Sequence, residues 1–427
     1  MKKDWIEVEL GNVLVQSKER YKPDGEQEHF YVGLEHIAKE IGTLTDSNRI
    51  EKITTLKNKF ESGQILYGKL RPYLNKVYLA KESGVCSTDI LVFHPTDLVF
   101  SKFAHLYMLS RKFVNHMSEN TSGVNLPRVS TSYINSYPFP LPSLPEQRAI
   151  VARIEELFSD LDHAIANLKS AQSKLEIYRQ AVLKKAFEGG YSNGKDWEWK
   201  KFKDCGSWKG GGTPSKANHS FWQNGSVLWV SPKDMKEKII SDTIDKITKE
   251  AIDNSSAKWI KSGSILFVVR SGILRRTLPI AISKFNLTVN QDLQAFTPNL
   301  DLDPVFVYWF CKSRERDIRE TCAKDGTTVE SVDSMSLKNY LIPISPQLEQ
   351  LEIVQEIESR LSVADKLAET IQTNLQKSES LRQSILKKAF EGKLLTEAEL
   401  DTCRKESGWE PAEKMLERIK KNRKINK

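Results

Sequence analysis

The sequence predicts an α+β chain in which two mixed α/β globules alternate with two long helices, one plan written twice in tandem. Three observations carry that reading. Residues 146–189 (EQRAIVARIEELFSDLDHAIANLKSAQSKLEIYRQAVLKKAFEG) and 349–392 (EQLEIVQEIESRLSVADKLAETIQTNLQKSESLRQSILKKAFEG) align without a gap at an offset of 203, with 19 identities in 44 positions and the last seven consecutive. Each copy carries apolar residues in alternating steps of three and four, the spacing of a coiled-coil seam. The segments in front of the copies share landmarks at drifting offsets: Trp5 answers Trp197, Gly63 answers Gly263, Asp89 answers Asp292, and Tyr137 answers Tyr340.

Bulk properties bound the class. A chain of 427 residues is too long for one core and requires two or three domains. With 39% hydrophobic and 28% charged residues, it has the composition of a soluble globular protein. No apolar run approaches the roughly 20 residues that cross a bilayer, and Met1 to Trp5 is not followed by a signal-type apolar core. A cytoplasmic protein with no membrane contact is expected. Cys86, Cys205, Cys311, Cys322 and Cys403 form no CxxC pair, so neither a disulfide framework nor a zinc site is indicated. A net charge of +8 leans toward a polyanionic partner.

Taken in order, residues 1–143 alternate short β-type runs (30–34, 64–67, 76–79, 90–93) with turns, then a helical stretch over 102–118 and an extended proline-rich hinge, YPFPLP, at 137–142. The first long helix, within 144–190, opens on a capping-box pattern, Ser143, Leu144, Pro145, Glu146, and closes on Lys184 and Lys185 before Gly189. Its seam is Ile154, Leu157, Leu161, Ala164, Leu168, Ala171, Leu175, Tyr178 and Val182. Residues 191–345 repeat the globule, and 346–392 repeat the helix with a rougher seam: Ile357, Leu361, Ala364, Leu367, Ile371, Leu375, Leu381 and Ile385, interrupted at Ser378. A lone amphipathic helix is usually a core helix, but a 44-residue helix spans roughly 66 Å, which one small domain does not cover. The other copy is the natural partner. The tail, 393–427, promises one more helix near 410–419 and a basic finish.

Catalytic patterns fail on physical grounds. The stretch GQILYGKL at 63–70 approaches a phosphate-binding loop, but Leu70 stands where magnesium needs a hydroxyl, and QILY reads as strand. No Pro-Pro occurs, which removes the amino-methyltransferase motif, and no HExxH occurs either. Chemistry is expected to belong to a partner.

Both globules instead mix basic residues with aromatics and amides in turns. In the first, Arg71 could grip guanine, Asn75 adenine, and Lys69 and Lys76 phosphates, with Tyr73 among them; Arg128 sits on a second turn. In the second, Lys209, Thr213, Ser215 and Lys216 lie on a flexible, donor-rich loop, and Arg270, Arg275 and Arg276 occupy the place of the 69–76 stretch. Any one of these is as readily a solvated surface charge. Two basic loops at equivalent places of a duplicated fold weigh toward DNA.

With these residues assembled, the chain resembles the specificity subunits of type I restriction-modification systems. The resemblance rests on the paired helices ending in LKKAFEG, on YPFPLP at 137–142 and YLIPI at 340–344, on YGKLRPYLNK at 67–76, and on GGGTPS at 210–215 with WVSPKD at 229–234. It implies two target-recognition domains, 1–143 and 191–345, each reading one half of a split site on double-stranded DNA. It implies that the helical spacers, 144–190 and 346–392, pair as an antiparallel coiled coil with pseudo-two-fold symmetry, set the gap, and dock two methyltransferase subunits, which recruit ATP-driven restriction and translocase subunits. The chain itself would then be non-catalytic and hold no cofactor; S-adenosylmethionine, ATP and magnesium would belong to the partners. Two other readings stay open: the specificity partner of a fused restriction-methylation enzyme of another type, and a coiled-coil scaffold for protein binding.

Overall fold

The computed structural model describes residues 4–23, 28–45, 50–191, 197–324 and 329–425. The chain divides into two compact units, Met1–Leu168 with Thr373–Lys427, and Lys169–Gln372. Each unit thus contains one globule, half of the first long helix, Leu144–Phe187, and half of the second, Gln347–Phe390. Both helices run for 44 residues without a break.

In the first unit an antiparallel four-stranded sheet runs in the order Leu14–Gln16, Ile90–Pro95, Ile65–Gly68, Val77–Leu79. The two central strands are apolar throughout their paired stretch, as burial on both faces requires. A second sheet of five short strands includes one parallel pair, Tyr31↔Val85. The second unit repeats the plan: Gly206–Gly210, Leu293–Pro298, Ile265–Val268 and Ile280–Ser283 follow the same order, with Ile239–Ile240 added at the edge, and Trp229↔Thr288 is again parallel.

The proline-rich segment is not a hinge. Pro138–Leu141 pairs antiparallel with Ile6–Glu9, and Leu341–Ile344 with Glu198–Lys201, so each globule is zipped shut where its helix begins. Prolines are tolerated here because each strand belongs to a two-stranded sheet and has a free edge. The expected helix over 102–118 is two helices, Ser101–Met108 and Arg111–Glu119, and the tail is also two, Glu397–Lys405 and Ala412–Ile425. Met415 and Ile419 of the last helix are buried in the first unit.

The capping box does not form. Ser143 Oγ makes no hydrogen bond, and neither does Ser345 Oγ, which stands four residues before Glu349 and so has no box spacing; Glu146 and Glu349 reach into the globules. Trp5 Nε1 donates to Glu146 Oε1 at 2.9 Å, and Trp197 Nε1 to Glu349 Oε1 at 3.0 Å. The neighbouring amides, Gln147 and Gln350, are fully buried. Gln147 donates to the carbonyls of Leu98 and Pro142 and accepts from Phe100 N; Gln350 donates to those of Asp301 and Ser345 and accepts from Asp303 N. The repeated Glu-Gln therefore fastens each globule to its helix, and every polar atom of each buried amide group has work to do.

Within each unit the two helices meet antiparallel, the start of one against the end of the other. In the first unit Ile150, Val151 and Ile154 share a core with Ile385, Leu386 and Ala389; in the second, Val182, Leu183, Ala186 and Phe187 share one with Ile353, Ile357 and Leu361. The seam keeps the predicted heptad positions, but its alternate members lie one residue later than the sequence reading placed them. Phe158, Ile165 and Arg179 turn inward on the first helix, and Ala368 and Arg382 on the second. Tyr178, Leu367 and Leu381 are consequently 40%, 50% and 51% exposed and lie off the buried seam. Ile154, Leu161, Leu175, Ile357 and Leu361 are buried, and Leu157, Leu168, Ile371 and Leu375 are partly so. At 179 and 382 the phase slips because an arginine, not an apolar residue, holds the inward position; at 157/158, 164/165 and 367/368 two adjacent apolar residues leave the phase open in the sequence.

Candidate nucleic-acid interface

The basic stretch at 69–76 is a strand end followed by a 3₁₀ turn, Pro72–Leu74, flanked by two left-handed residues, Arg71 (φ 51°) and Asn75 (φ 45°). The left-handed cap turns Asn75 inward. It is 2% exposed, and its Nδ2 donates to the Leu109 carbonyl at 3.1 Å. Lys76 likewise folds back, its ammonium bonded to the Leu34 carbonyl, and partial burial lowers its pKa. Neither offers the amide or phosphate-binding ammonium that the sequence suggested, because a left-handed turn aims the side chains where a linear reading does not show. Arg71 is exposed and Tyr73 half-exposed at the crest of the turn.

A second turn zips onto the first. Leu70 and Arg128 bridge antiparallel, and Arg71 N donates to the Pro127 carbonyl at 2.8 Å. Arg128 sends Nε and Nη2 to the two carboxylate oxygens of Asp89, at 3.1 and 3.2 Å, while Lys69 Nζ lies 3.7 Å from the same carboxylate. The hydrogen-bonded Arg128 guanidinium, aided by Lys69, holds the Asp89 carboxyl below its ordinary range despite partial burial.

The second unit builds the same corner with the charges exchanged. Arg270 and Ser331 form the bridge, and it is Arg270 that grips Asp292, through Nε and Nη2, both at 2.7 Å from Oδ1. Arg275 pairs with Glu330, and Arg276 stands exposed beside it. The GGGTPS loop is pinned rather than flexible. A Cβ at Gly211 would collide with the Val289 carbonyl and one at Gly212 with Ser256, Gly212 N donates to the Val289 carbonyl, and Trp229 Nε1 donates to the Gly212 carbonyl. These two glycines serve close packing. Thr213 is bonded to Gln291, Lys209 Nζ reaches the Trp259 carbonyl at 3.3 Å, the Ser215 carbonyl accepts from Trp222 Nε1, and Ser215 and Lys216 are exposed.

The structure thus gathers Lys69, Arg71, Tyr73 and Arg128 at one corner of the first globule and Arg270, Arg275 and Arg276 at the equivalent corner of the second, with Lys209, Thr213, Ser215 and Lys216 on a separate loop. The sequence reading used Asp89 and Asp292 only as repeat landmarks; their signal as acceptors was that both survive duplication beside basic turns. It also passed over GYSNG at 190–194, which has the spacing of a nucleophile elbow. That string leads from a helix toward a strand, the reverse of the order such an elbow needs, and residues 192–196 lie outside those described. Among the described residues, no group of three or more His, Cys, Asp or Glu side chains could hold a metal ion, and no helix is long and apolar enough to cross a membrane.

A duplicated α/β globule with a basic double turn, each copy followed by a long helix, defines a tandem-repeat protein. Residues 2–170 and 194–378 match the family described as the type I restriction modification DNA specificity domain, and the chain belongs to that family. It is 36% identical over 251 residues to the EcoR124I/EcoR124II specificity subunit of Escherichia coli, which covers 58% of this chain and 59% of that one. It is 25% identical over 352 residues to the EcoKI specificity subunit of Escherichia coli strain K12, covering 78% and 74%. The match to the EcoDI specificity subunit spans only 30% of that protein. In fold, the chain superposes with a TM-score of 0.77 on a chain solved to explain complex assembly and conformational transition of the type I R-M system, covering 92% of this chain and 99% of that one at 21% identity. For the HsdS subunit of Thermoanaerobacter tengcongensis the TM-score is 0.65, at 22% identity, covering 92% and 98%.

Proposed function

We propose that the chain is the DNA-binding specificity subunit of a type I restriction-modification complex. Each globule reads one half of a bipartite site in double-stranded DNA. The paired helices set the number of base pairs between the halves and dock two methyltransferase subunits, so that the chain directs adenine methylation, and the methyltransferase subunits in turn recruit the restriction and translocase subunits. The observation that carries this is the duplication itself: one topology, one Glu-Gln fastening and one long helix occur twice, while the basic turns differ in residue and in charge pairing. Two such readers recognise two different half-sites. Arg71 and Tyr73 in the first and Arg275 and Arg276 in the second are the side chains best placed to meet the duplex, guanidinium groups serving either guanine edges or phosphates. The protein works in the cytoplasm as a non-catalytic subunit, and S-adenosylmethionine, ATP and magnesium act in its partners.

The test is single-molecule sequencing for N6-methyladenine in cells carrying this chain with a methyltransferase subunit that co-purifies with it, against cells lacking only this chain. A split motif with one fixed gap, methylated only when the chain is present, is expected. Identical methylation patterns despite a co-purifying methyltransferase would contradict the assignment.

A further inference from the structure

Two ion pairs between the long helices are copies of each other. Arg382 lies with its guanidinium 4.3 Å from the centre of the Phe158 ring and pairs with Asp162; Arg179 Nη1 lies 2.6 Å from Asp365 Oδ1. Asp162 and Asp365 are related by the 203-residue offset, and so are Arg179 and Arg382. The four residues are therefore one Asp and one Arg, each written twice, and the antiparallel arrangement makes each Arg meet the Asp of the opposite copy. On both helices the Asp precedes the Arg by 17 residues, so the same step up one helix matches the step down the other.

The arginines occupy inward seam positions, with side chains only 24% and 20% exposed. The apolar seam around them does not repeat: Phe158 answers Leu361, Leu168 answers Ile371, and Leu175 answers Ser378. Apolar knobs of similar size tolerate a shift of one heptad, whereas a half-buried guanidinium that loses its carboxylate does not. A slip of one heptad in one direction would bring Lys169 opposite Arg382 and Gln372 opposite Arg179. A slip in the other direction would bring Glu155 and Glu358, but these already pair with Lys102 and Lys238 of their own globules. Arg179 keeps Glu176 of its own helix 3.8 Å away in any register, but only the observed register gives both arginines an uncommitted acid on the facing helix.

We propose that Arg179 with Asp365 and Arg382 with Asp162 are a matched pair of register locks, positioning residues that hold the long helices in one antiparallel register and thereby fix the gap between the two DNA half-sites. The proposal rests, for its DNA consequence, on the specificity-subunit reading; its structural half stands apart from it.

The experiment follows both halves on the full-length chain. Spin labels at His163→Cys and Lys388→Cys, two exposed positions on facing helices of the first unit, report the register, and the five native cysteines are buried. In the wild type one label distance is expected. In Arg179→Glu/Arg382→Glu a broadened distribution or a second population is expected, from a slip of roughly 10 Å, one heptad of rise, along the helix axis. In the methyltransferase complex that variant should methylate at more than one gap length or fall at least tenfold in methylated sites. The fourfold exchange, Arg179→Asp, Asp365→Arg, Arg382→Asp and Asp162→Arg, should restore the single distance and the single gap. A reversed variant that keeps the wild-type distance overturns the lock whatever its methylation, and so does an exchange that fails to restore it. If the wild-type complex yields no split motif, the functional reading fails, while the label distance still decides the lock.

Discussion

Asp89 and Asp292 hold equivalent places, yet they draw their guanidinium from opposite sides of the same backbone bridge, Arg128 in one globule and Arg270 in the other. One carboxylate at this corner needs one guanidinium, and either turn can supply it. The exchange leaves different side chains facing outward, which is how one scaffold comes to present two reading surfaces. A contrast within the 69–76 turn separates reading from folding. Arg71→Ala should leave stability within about 0.5 kcal/mol of wild type while weakening methylation through one half-site. Asn75→Ala should cost about 1–3 kcal/mol, since it strands the Leu109 carbonyl and removes a residue suited to the left-handed turn. Denaturant unfolding and methylation mapping of the two variants check this; the opposite ordering would contradict it. At this scale the sequence showed which residue types were present but not where they pointed. Lys69, Arg71 and Tyr73 do reach the surface or its edge, but Asn75 and Lys76 turn inward because two positive φ angles are invisible in a string of letters.

At the level of elements, the helices and their ends were legible because periodicity and repetition reinforce each other over 44 residues. Their attachment was not. The Ser-x-x-Glu pattern at 143–146 pointed to a local cap, but a carboxylate gains more from a buried indole donor than from one exposed amide, so Glu146 docks Trp5, and Glu349, which no such pattern precedes, docks Trp197. The identical Glu-Gln at the head of both copies was the available signal. Gln147→Ala leaves the Leu98 and Pro142 carbonyls and the Phe100 amide without their partner, and should destabilise the first unit by roughly 2–4 kcal/mol; Gln350→Ala should do the same to the second. Thermal unfolding with a local probe in each unit reads the two effects apart, and a loss below about 1 kcal/mol in both would show that the fastening does not depend on these amides. The seam was misphased for a related reason: apolar-only reading skips an arginine, so Tyr178 and Leu381 were preferred to Arg179 and Arg382, and it ranks leucine above alanine, so Leu367 was preferred to Ala368.

For the molecule as a whole, the constant offset made the duplication, the alternation of globule and helix, and the family legible from sequence. The sheet orders and the parallel pairs were not, since strands of two to six residues separated by irregular segments carry too little periodicity to fix their neighbours. The helix pair acts as a ruler between two independent readers. Because the two locks lie 17 residues apart on both helices, lengthening one helix alone would break one of them. The most direct measurement inserts one heptad between the lock positions of both helices at once and maps methyladenine genome-wide. Both half-sites are expected unchanged, with a single gap longer by no more than about three base pairs for roughly 10 Å of added rise. An unchanged gap, or a change in the bases read on either side, would contradict it.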